Sequence, residues 1–103
     1  MDERARKTAL YEQFARVGKA LANPARLELL DLLAQGERAV EELAAAAGMK
    51  VSNTSAQLRA LAAAGLVASR RDGVNIYYRL ADEEAAKSWI RPAKAATSSS
   101  ASR

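Results

Sequence analysis

Cysteine and histidine are both absent from this chain of 103 residues. Without cysteine there is no disulfide, no thiolate metal site and no redox thiol, and without histidine the commonest transition-metal ligand and general base is missing. The sequence also lacks a glycine-rich phosphate-binding loop and paired carboxylates beside an obvious apolar pocket. We therefore predict no metal site, no cofactor and no enzymatic activity.

Long apolar runs are missing as well. No stretch approaches the ~20 consecutive apolar residues that span a bilayer. The amino terminus, Met1-Asp2-Glu3-Arg4, is charged where a signal peptide would be apolar. These two absences predict a cytoplasmic protein with no membrane partner.

Aromatic residues are scarce, at 5% of the chain, and alanine supplies much of the hydrophobic half. A core built from such small side chains is thin, and a thin core often gains from dimerisation. Large apolar residues nevertheless occur towards both ends of the chain, and we assign these to a twofold interface: Leu10, Tyr11, Phe14, Trp89 and Ile90. The alternative is that Trp89 folds onto the second helix of its own chain.

Apolar periodicity predicts four helices in the first two thirds of the chain. The first covers about residues 5–22, and the second begins at Asn23-Pro24, a cap followed by a first-turn proline. A short third helix ends at Gly48, and a fourth, over about residues 51–64, ends at Gly65. In that fourth helix, one face is apolar, with Val51, Thr54, Leu58, Leu61 and Ala62, and the opposite face is polar or small.

A β-hairpin is predicted next, with strands over residues 66–71 and 74–80 joined by Asp72-Gly73. Alternation along the second strand places its apolar side chains on one face: Val74, Ile76, Tyr78 and Leu80. Asp82 can cap a fifth helix that Pro92 stops. The predicted domain therefore covers residues 1–91, and residues 92–103, rich in Ala and Ser, are predicted to be a disordered tail.

Positive charge is concentrated in residues 48–80. Five basic residues face one acid there, which accounts for the whole formal net charge of +4, because the rest of the chain has equal numbers of bases and acids. A concentrated basic patch attracts phosphate, so nucleic acid is the first partner to consider.

The fourth helix and the hairpin together form a predicted winged helix-turn-helix. Asn53 and Gln57 lie four residues apart, so both amides point the same way, and either could donate and accept at adenine. The hairpin arginines would grip the sugar-phosphate backbone or the adjoining minor groove. The predicted DNA-binding residues are Lys50, Ser52, Asn53, Thr54, Ser55, Gln57, Arg59, Arg70, Arg71, Asn75 and Tyr77. The alternatives are an ordinary solvated helix face and a generic hairpin surface.

Four stretches also resemble the ArsR-type bacterial transcriptional repressors: LANPARLELLDLL (21–33), Gly36-Glu37, GMKVSNTSAQLRALAAAGLV (48–67) and SRRDGVNIYYRLAD (69–82). The resemblance implies a mainly α-helical winged helix-turn-helix fold, ordered α-α-α-α-β-β-α, that dimerises through its first and last helices. VSNTSAQL looks most like the subgroup associated with rhodanese domains. Ala39 and Glu41 stand where metal-responsive members have cysteines, and Lys50 stands where the recognition helix usually has a serine or threonine cap, which predicts a frayed first turn.

The function predicted from these features is a sequence-specific, double-stranded DNA-binding regulator, a homodimeric repressor of an inverted-repeat operator. Twofold symmetry would place two recognition helices about 34 Å apart. The alternative is a winged-helix module that binds proteins. The inducing signal stays open between a small organic ligand bound between the first and last helices, a partner protein, phosphorylation of residues 97–100, and no signal at all.

Overall fold

The structure, a computed structural model, describes residues 2–84 together with residues 88 and 95. Its helices are α1 (Glu3–Leu21), α2 (Pro24–Leu33), α3 (Val40–Ala47) and α4 (Val51–Ala63). Its strands are β1 (Arg38–Ala39), β2 (Val67–Asp72) and β3 (Asn75–Leu80). This order is that of a winged helix-turn-helix, with α3 and α4 as the helix pair and β2 and β3 as the wing.

Side-chain caps fix where the first three helices begin. Asp2 accepts a hydrogen bond from the backbone N–H of Arg4, and Asn23 accepts from two N–H groups of the first turn of α2, at 2.9 and 3.3 Å. At α3 the side chain of Glu42 reaches back to the N–H of Ala39, at 3.0 Å. Each bond satisfies a donor that a helix start leaves free.

A layer of leucines holds the helices together. Leu29, Leu30 and Leu33 of α2 meet Leu43 of α3 and the α4 residues Leu58 and Leu61, and all six are buried. Val67, Tyr78 and Leu80 close this core from the sheet. Because α2 supplies half of the leucines, it is the central helix, as its apolar sequence predicted.

In the described part of the chain, the sheet has three antiparallel strands in the order β1-β3-β2, not the two that the sequence predicted. The additional strand, β1, pairs Arg38 with Tyr78 and Ala39 with Tyr77. Two residues are too few to show a period of two, which is why the sequence gave no signal for it. The pairing fastens the base of the wing to the segment that leads into α3.

The hairpin turn lies one residue later than predicted. Asp72 pairs with Asn75, so the two turn residues are Gly73 and Val74, not Asp72 and Gly73. Gly73 has a φ of +65° and Val74 has no positive φ, which is typical of a type II′ turn. Val74 is therefore 97% exposed at the tip and does not cover the core, and Ile76, two residues further on, is also exposed, at 37%.

The predicted fifth helix falls largely outside the described residues. Glu83 and Glu84 are helical, directly after Asp82. Trp89, Ile90 and the predicted tail, residues 92–103, lie outside the part that can be described, apart from residue 95. Within the described ranges, no helix combines the length and the apolar character needed to cross a membrane.

Candidate nucleic-acid interface

One side of α4 is free of the core and carries short polar side chains. Ser52, Asn53 and Arg59 are exposed and Gln57 is half-buried, which confirms the predicted polar face. The predicted apolar face is narrower than expected, because Val51 is 47% exposed and Ala62 is also exposed. Small residues lie between the polar ones, so the surface can approach another molecule closely.

The start of α4 has no side-chain cap. Lys50 occupies the N-cap position, as predicted, and makes no capping hydrogen bond, yet the helix is regular from Val51 onwards. The first N–H groups therefore have no side-chain partner and point outwards beside Ser52 and the half-buried Ser55. An uncapped helix start with free N–H groups favours an anion such as a phosphate.

Thr54 is buried, so the structure does not support its prediction as a DNA-binding residue. Its side chain is 0% exposed and its hydroxyl donates to the carbonyl of Lys50, at 2.9 Å. The hydroxyl is therefore satisfied within the helix and faces the core, where it cannot reach a phosphate. The helical period, which placed Thr54 on the apolar face with Leu58 and Leu61, predicted its burial correctly.

A chain of hydrogen bonds orients the two amides of α4. Arg26, in the first turn of α2, donates from Nε to Oε1 of Gln57 at 2.7 Å, and Nε2 of Gln57 donates to Oδ1 of Asn53 at 3.4 Å. A guanidinium can only donate, so Gln57 must turn its oxygen towards Arg26. The outward groups of the pair are consequently N–H donors.

Sequence reasoning missed Arg26, which lies 31 positions before Gln57. One signal was available: Arg26 is a base in the first turn of a helix, where the macrodipole favours acids. A base at that position needs a further reason for its presence, and the contact with Gln57 supplies it.

The sheet register places the two adjacent wing arginines on opposite faces. Arg71 lies opposite Ile76, on the face that continues Val67 and Leu80 and against which α4 packs. Arg70 lies opposite Tyr77, on the other face. The sequence interpretation had grouped both arginines in one basic ribbon, which the alternation of a strand excludes.

Arg70 is held by Glu37, in the segment before β1. Its Nε donates to both carboxylate oxygens at 3.1 and 3.0 Å, and its Nη2 donates to Oε1 at 2.8 Å. Its guanidinium carbon also lies 4.6 Å from the centre of the Tyr77 ring, and Asp72 approaches to 4.0 Å. The charge of Arg70 is therefore compensated and its side chain is held in place. Tyr77 is half-buried, with the Arg70 guanidinium over its ring.

The proton affinities of the ion pair reflect this geometry. Hydrogen bonding from Arg70 lowers the pKa of the Glu37 carboxyl below its usual value, and the charges of Arg70 and Arg79 act in the same direction. The same hydrogen bond raises the pKa of Arg70. Both groups thus stay charged near neutral pH, and together they contribute no net charge to the wing.

Of the predicted wing contacts, Arg71 and Asn75 remain open to a ligand, although Asn75, opposite Asp72, lies on the Arg70 face of the sheet. Both are exposed, and within the described part of the chain Arg71 has no acidic partner. Arg71 therefore adds an uncompensated charge to the side of the sheet on which α4 lies, and Arg59 adds a second from α4 itself. Both charges are exposed on the two elements that carry the predicted DNA contacts, α4 and the wing.

A separate apolar surface lies on α1. Leu10, Tyr11 and Phe14 are 53%, 65% and 58% exposed. These are the residues of the predicted interface that the structure describes, and an aromatic patch of this kind on a small protein is typical of a surface covered by another molecule. Trp89 and Ile90, the other two, lie outside the described residues.

Comparison with known proteins agrees with this architecture. The profile of the ArsR family of bacterial regulatory proteins matches residues 23–69, from the cap of α2 to the start of the wing. The chain is also 50% identical to the homodimeric winged helix-turn-helix DNA-binding domain of Mycobacterium bovis solved by NMR, with a TM-score of 0.82 over 95% of this chain and 88% of that one. The chain belongs to the ArsR family.

Two further comparisons extend the likeness to transcriptional regulators. A crystal structure of a Mycobacterium bovis protein is 51% identical, with a TM-score of 0.81, over 89% of this chain and 98% of that chain. An HTH-type transcriptional regulator of Mycobacterium tuberculosis is 60% identical over 82 residues, 80% of this chain. The match spans only 36% of that regulator's length.

Proposed function

We propose that the chain is the DNA-binding unit of a homodimeric repressor that binds an inverted-repeat operator. The observation that carries this proposal is the polar, donor-bearing face of α4, together with the exposed charges of Arg59 and Arg71, which have no acidic partner among the described residues. In each protomer α4 enters the major groove, and the Arg71 side of the wing contacts the neighbouring backbone or minor groove. The proposal assigns no catalytic step to the chain, and association with rhodanese domains stays a prediction.

Phosphate contacts come from the edges of this surface. The open N–H groups at the start of α4, with Lys50, Ser52 and Ser55, meet the backbone on one side of the groove, and Arg71 meets it on the other. Such contacts set the position of the protein but do not read sequence. With three or four phosphates per protomer, the log-log salt slope of the dimer is about −5 to −7.

Sequence is read by the amide pair. Because Oε1 of Gln57 accepts from Arg26 and Oδ1 of Asn53 accepts from Gln57, the groups that face the groove are the two NH₂ groups. Two donors match the O6 and N7 acceptors of guanine better than the donor-acceptor pair of adenine. The structure therefore favours guanine at the contacted positions, whereas the sequence alone suggested adenine.

Selection of bound DNA from a random pool, followed by anisotropy titrations, tests this function. N53A and Q57A should each reduce the discrimination between bases at particular base pairs by about 1 to 3 kcal/mol. R71Q should lower the affinity for all DNA sequences to the same extent. Q13A, which removes an exposed amide from α1, is the matched control and should change neither quantity. A flat salt dependence with no enriched sequence would contradict the proposal and favour the protein-binding alternative.

The proposed dimer joins through the apolar surface of α1 and the last helix. Replacing Phe14 with Glu would place a charge in the centre of that surface, so the variant should sediment as a monomer and lose operator affinity. A wild-type protein that sediments as a monomer at micromolar concentration would remove the symmetric-operator part of the proposal.

A further inference from the structure

A groove of about 180 Å³ lies between α1, α2 and the end of α4, away from the wing. Its rim carries three basic side chains, Arg16 and Lys19 from α1 and Arg26 from α2. Its floor is made of the methyl groups of four alanines, Ala20, Ala60, Ala63 and Ala64. One side is open to solvent.

Among the described residues, nothing compensates the charge of this groove. None of its lining residues is acidic, and within the described part of the chain neither Lys19 nor the terminal nitrogens of Arg26 have a carboxylate partner. In the described ranges, the one hydrogen bond of the Arg16 side chain goes to the neutral side chain of Gln13, at 2.9 Å. Three like charges around an apolar floor repel one another, and an anion placed between them removes that repulsion.

Size and lining restrict the chemistry of a ligand. The volume is below the ~300 Å³ at which clefts for drug-sized ligands begin, so the occupant must be compact. The alanine floor offers contacts to a hydrocarbon or aromatic body, and the rim offers several donors to a carboxylate. A fully hydrated inorganic anion would leave the alanine floor unused.

We propose that this groove binds a small organic anion, a carboxylate with a compact apolar body, and that its binding lowers DNA affinity through Arg26. Arg26 is the shared element, because it lines the groove and also holds Oε1 of Gln57 at 2.7 Å. A carboxylate on the terminal nitrogens of Arg26 neutralises charge next to the DNA-reading face and competes for the guanidinium that orients Gln57. This coupling rests on the proposed function, whereas the binding site itself does not.

NMR titration of the full chain without DNA tests the site. Benzoate is the probe. Acetate is a control with the carboxylate but no aromatic ring, benzyl alcohol is a control with the ring but no charge, and inorganic phosphate mimics the DNA backbone. We expect saturable shifts for benzoate at the amides of Lys19, Ala60 and Ala64, with a dissociation constant on the order of 1 mM. The R16Q/K19Q variant should weaken this at least tenfold, whereas R4Q/K7Q, which removes the same charge from the start of α1, should not.

Three results would overturn the site: no saturable shifts at these amides, equal shifts with benzyl alcohol, or phosphate binding more tightly than benzoate. The last would mark the groove as a phosphate contact. For the coupling, 10 mM benzoate at constant ionic strength should weaken DNA binding by up to about tenfold per protomer, and R16Q/K19Q should abolish the effect. Because the titration contains no DNA, the site can succeed even if operator binding fails, and the two failures are distinguishable.

Discussion

Exchanging the two wing arginines for glutamine, one at a time, should give unequal effects on DNA binding. Arg71 is uncompensated and lies on the sheet face that packs against α4, whereas Arg70 is paired with Glu37 on the opposite face. R71Q should therefore remove a phosphate contact from each protomer. R70Q should remove a charge that Glu37 already compensates.

The size of the difference follows from counterion release. One phosphate contact contributes about −0.9 to the log-log salt slope, so a dimer of R71Q should have a slope less negative by about 1.8. Between 50 and 200 mM salt, wild-type affinity should then fall about twelvefold more than that of R71Q. For R70Q we expect a slope change of less than about 0.5.

Fluorescence anisotropy with one operator, at five or more salt concentrations, measures these slopes. The E37Q/R70Q variant is the control, since it removes both partners and keeps the net charge of the wild type, so any effect it shows reports loss of order in the wing. Equal slope changes for R70Q and R71Q would refute the assignment of the two arginines to different roles.

Three other predictions concern local structure. In R70Q the pKa of the Glu37 carboxyl should rise towards its usual value, because the hydrogen bond and charge of Arg70 are lost, and ¹³C NMR can measure the change. In the wild type the stabilisation from this pair is present above the usual pKa of the carboxyl and is lost as the pH falls through the lowered pKa. Gly48 has a φ of +66°, so G48A should lower the free energy of unfolding by about 1 kcal/mol. Gly18 lies inside α1 with free space around it, so G18A should raise the free energy of unfolding by up to about 1 kcal/mol. Urea unfolding compares the two variants, and equal effects would contradict the strain argument. T54V should cost about 0.5 to 1.5 kcal/mol of stability for the lost hydroxyl bond but leave the salt slope of DNA binding unchanged, so an altered slope would show that Thr54 contacts phosphate after all.

The helices were predictable because their signals are local. Asn23-Pro24 marks the start of α2, Gly48 and Gly65 mark the ends of the next two helices, and the spacing of Leu58 and Leu61 gives the buried face of α4. Each of these signals depends on residues within one or two turns, where chain geometry leaves few alternatives. Family resemblance added the arrangement of the elements.

The parts that were missed depend on partners far apart in sequence. Arg26 meets Gln57 across 31 positions and Arg70 meets Glu37 across 33. Neither contact leaves a periodic trace, so composition could show the basic charge of residues 48–80 but not which arginine is already neutralised. The turn was misplaced by one residue for a related reason, since strand register depends on which cross-strand pairs form.

The charges of β2 have a second consequence. Among the described strands, β2 pairs on one side only, so its other edge has unpaired backbone groups over six residues. The corresponding edge of β1 is only two residues long. An unpaired edge strand can pair with a strand of another molecule, and charged side chains along the edge oppose such pairing. Arg70, Arg71 and Asp72 therefore protect the protruding wing from self-association. A variant stripped of all three should aggregate during purification, long before its DNA affinity could be measured.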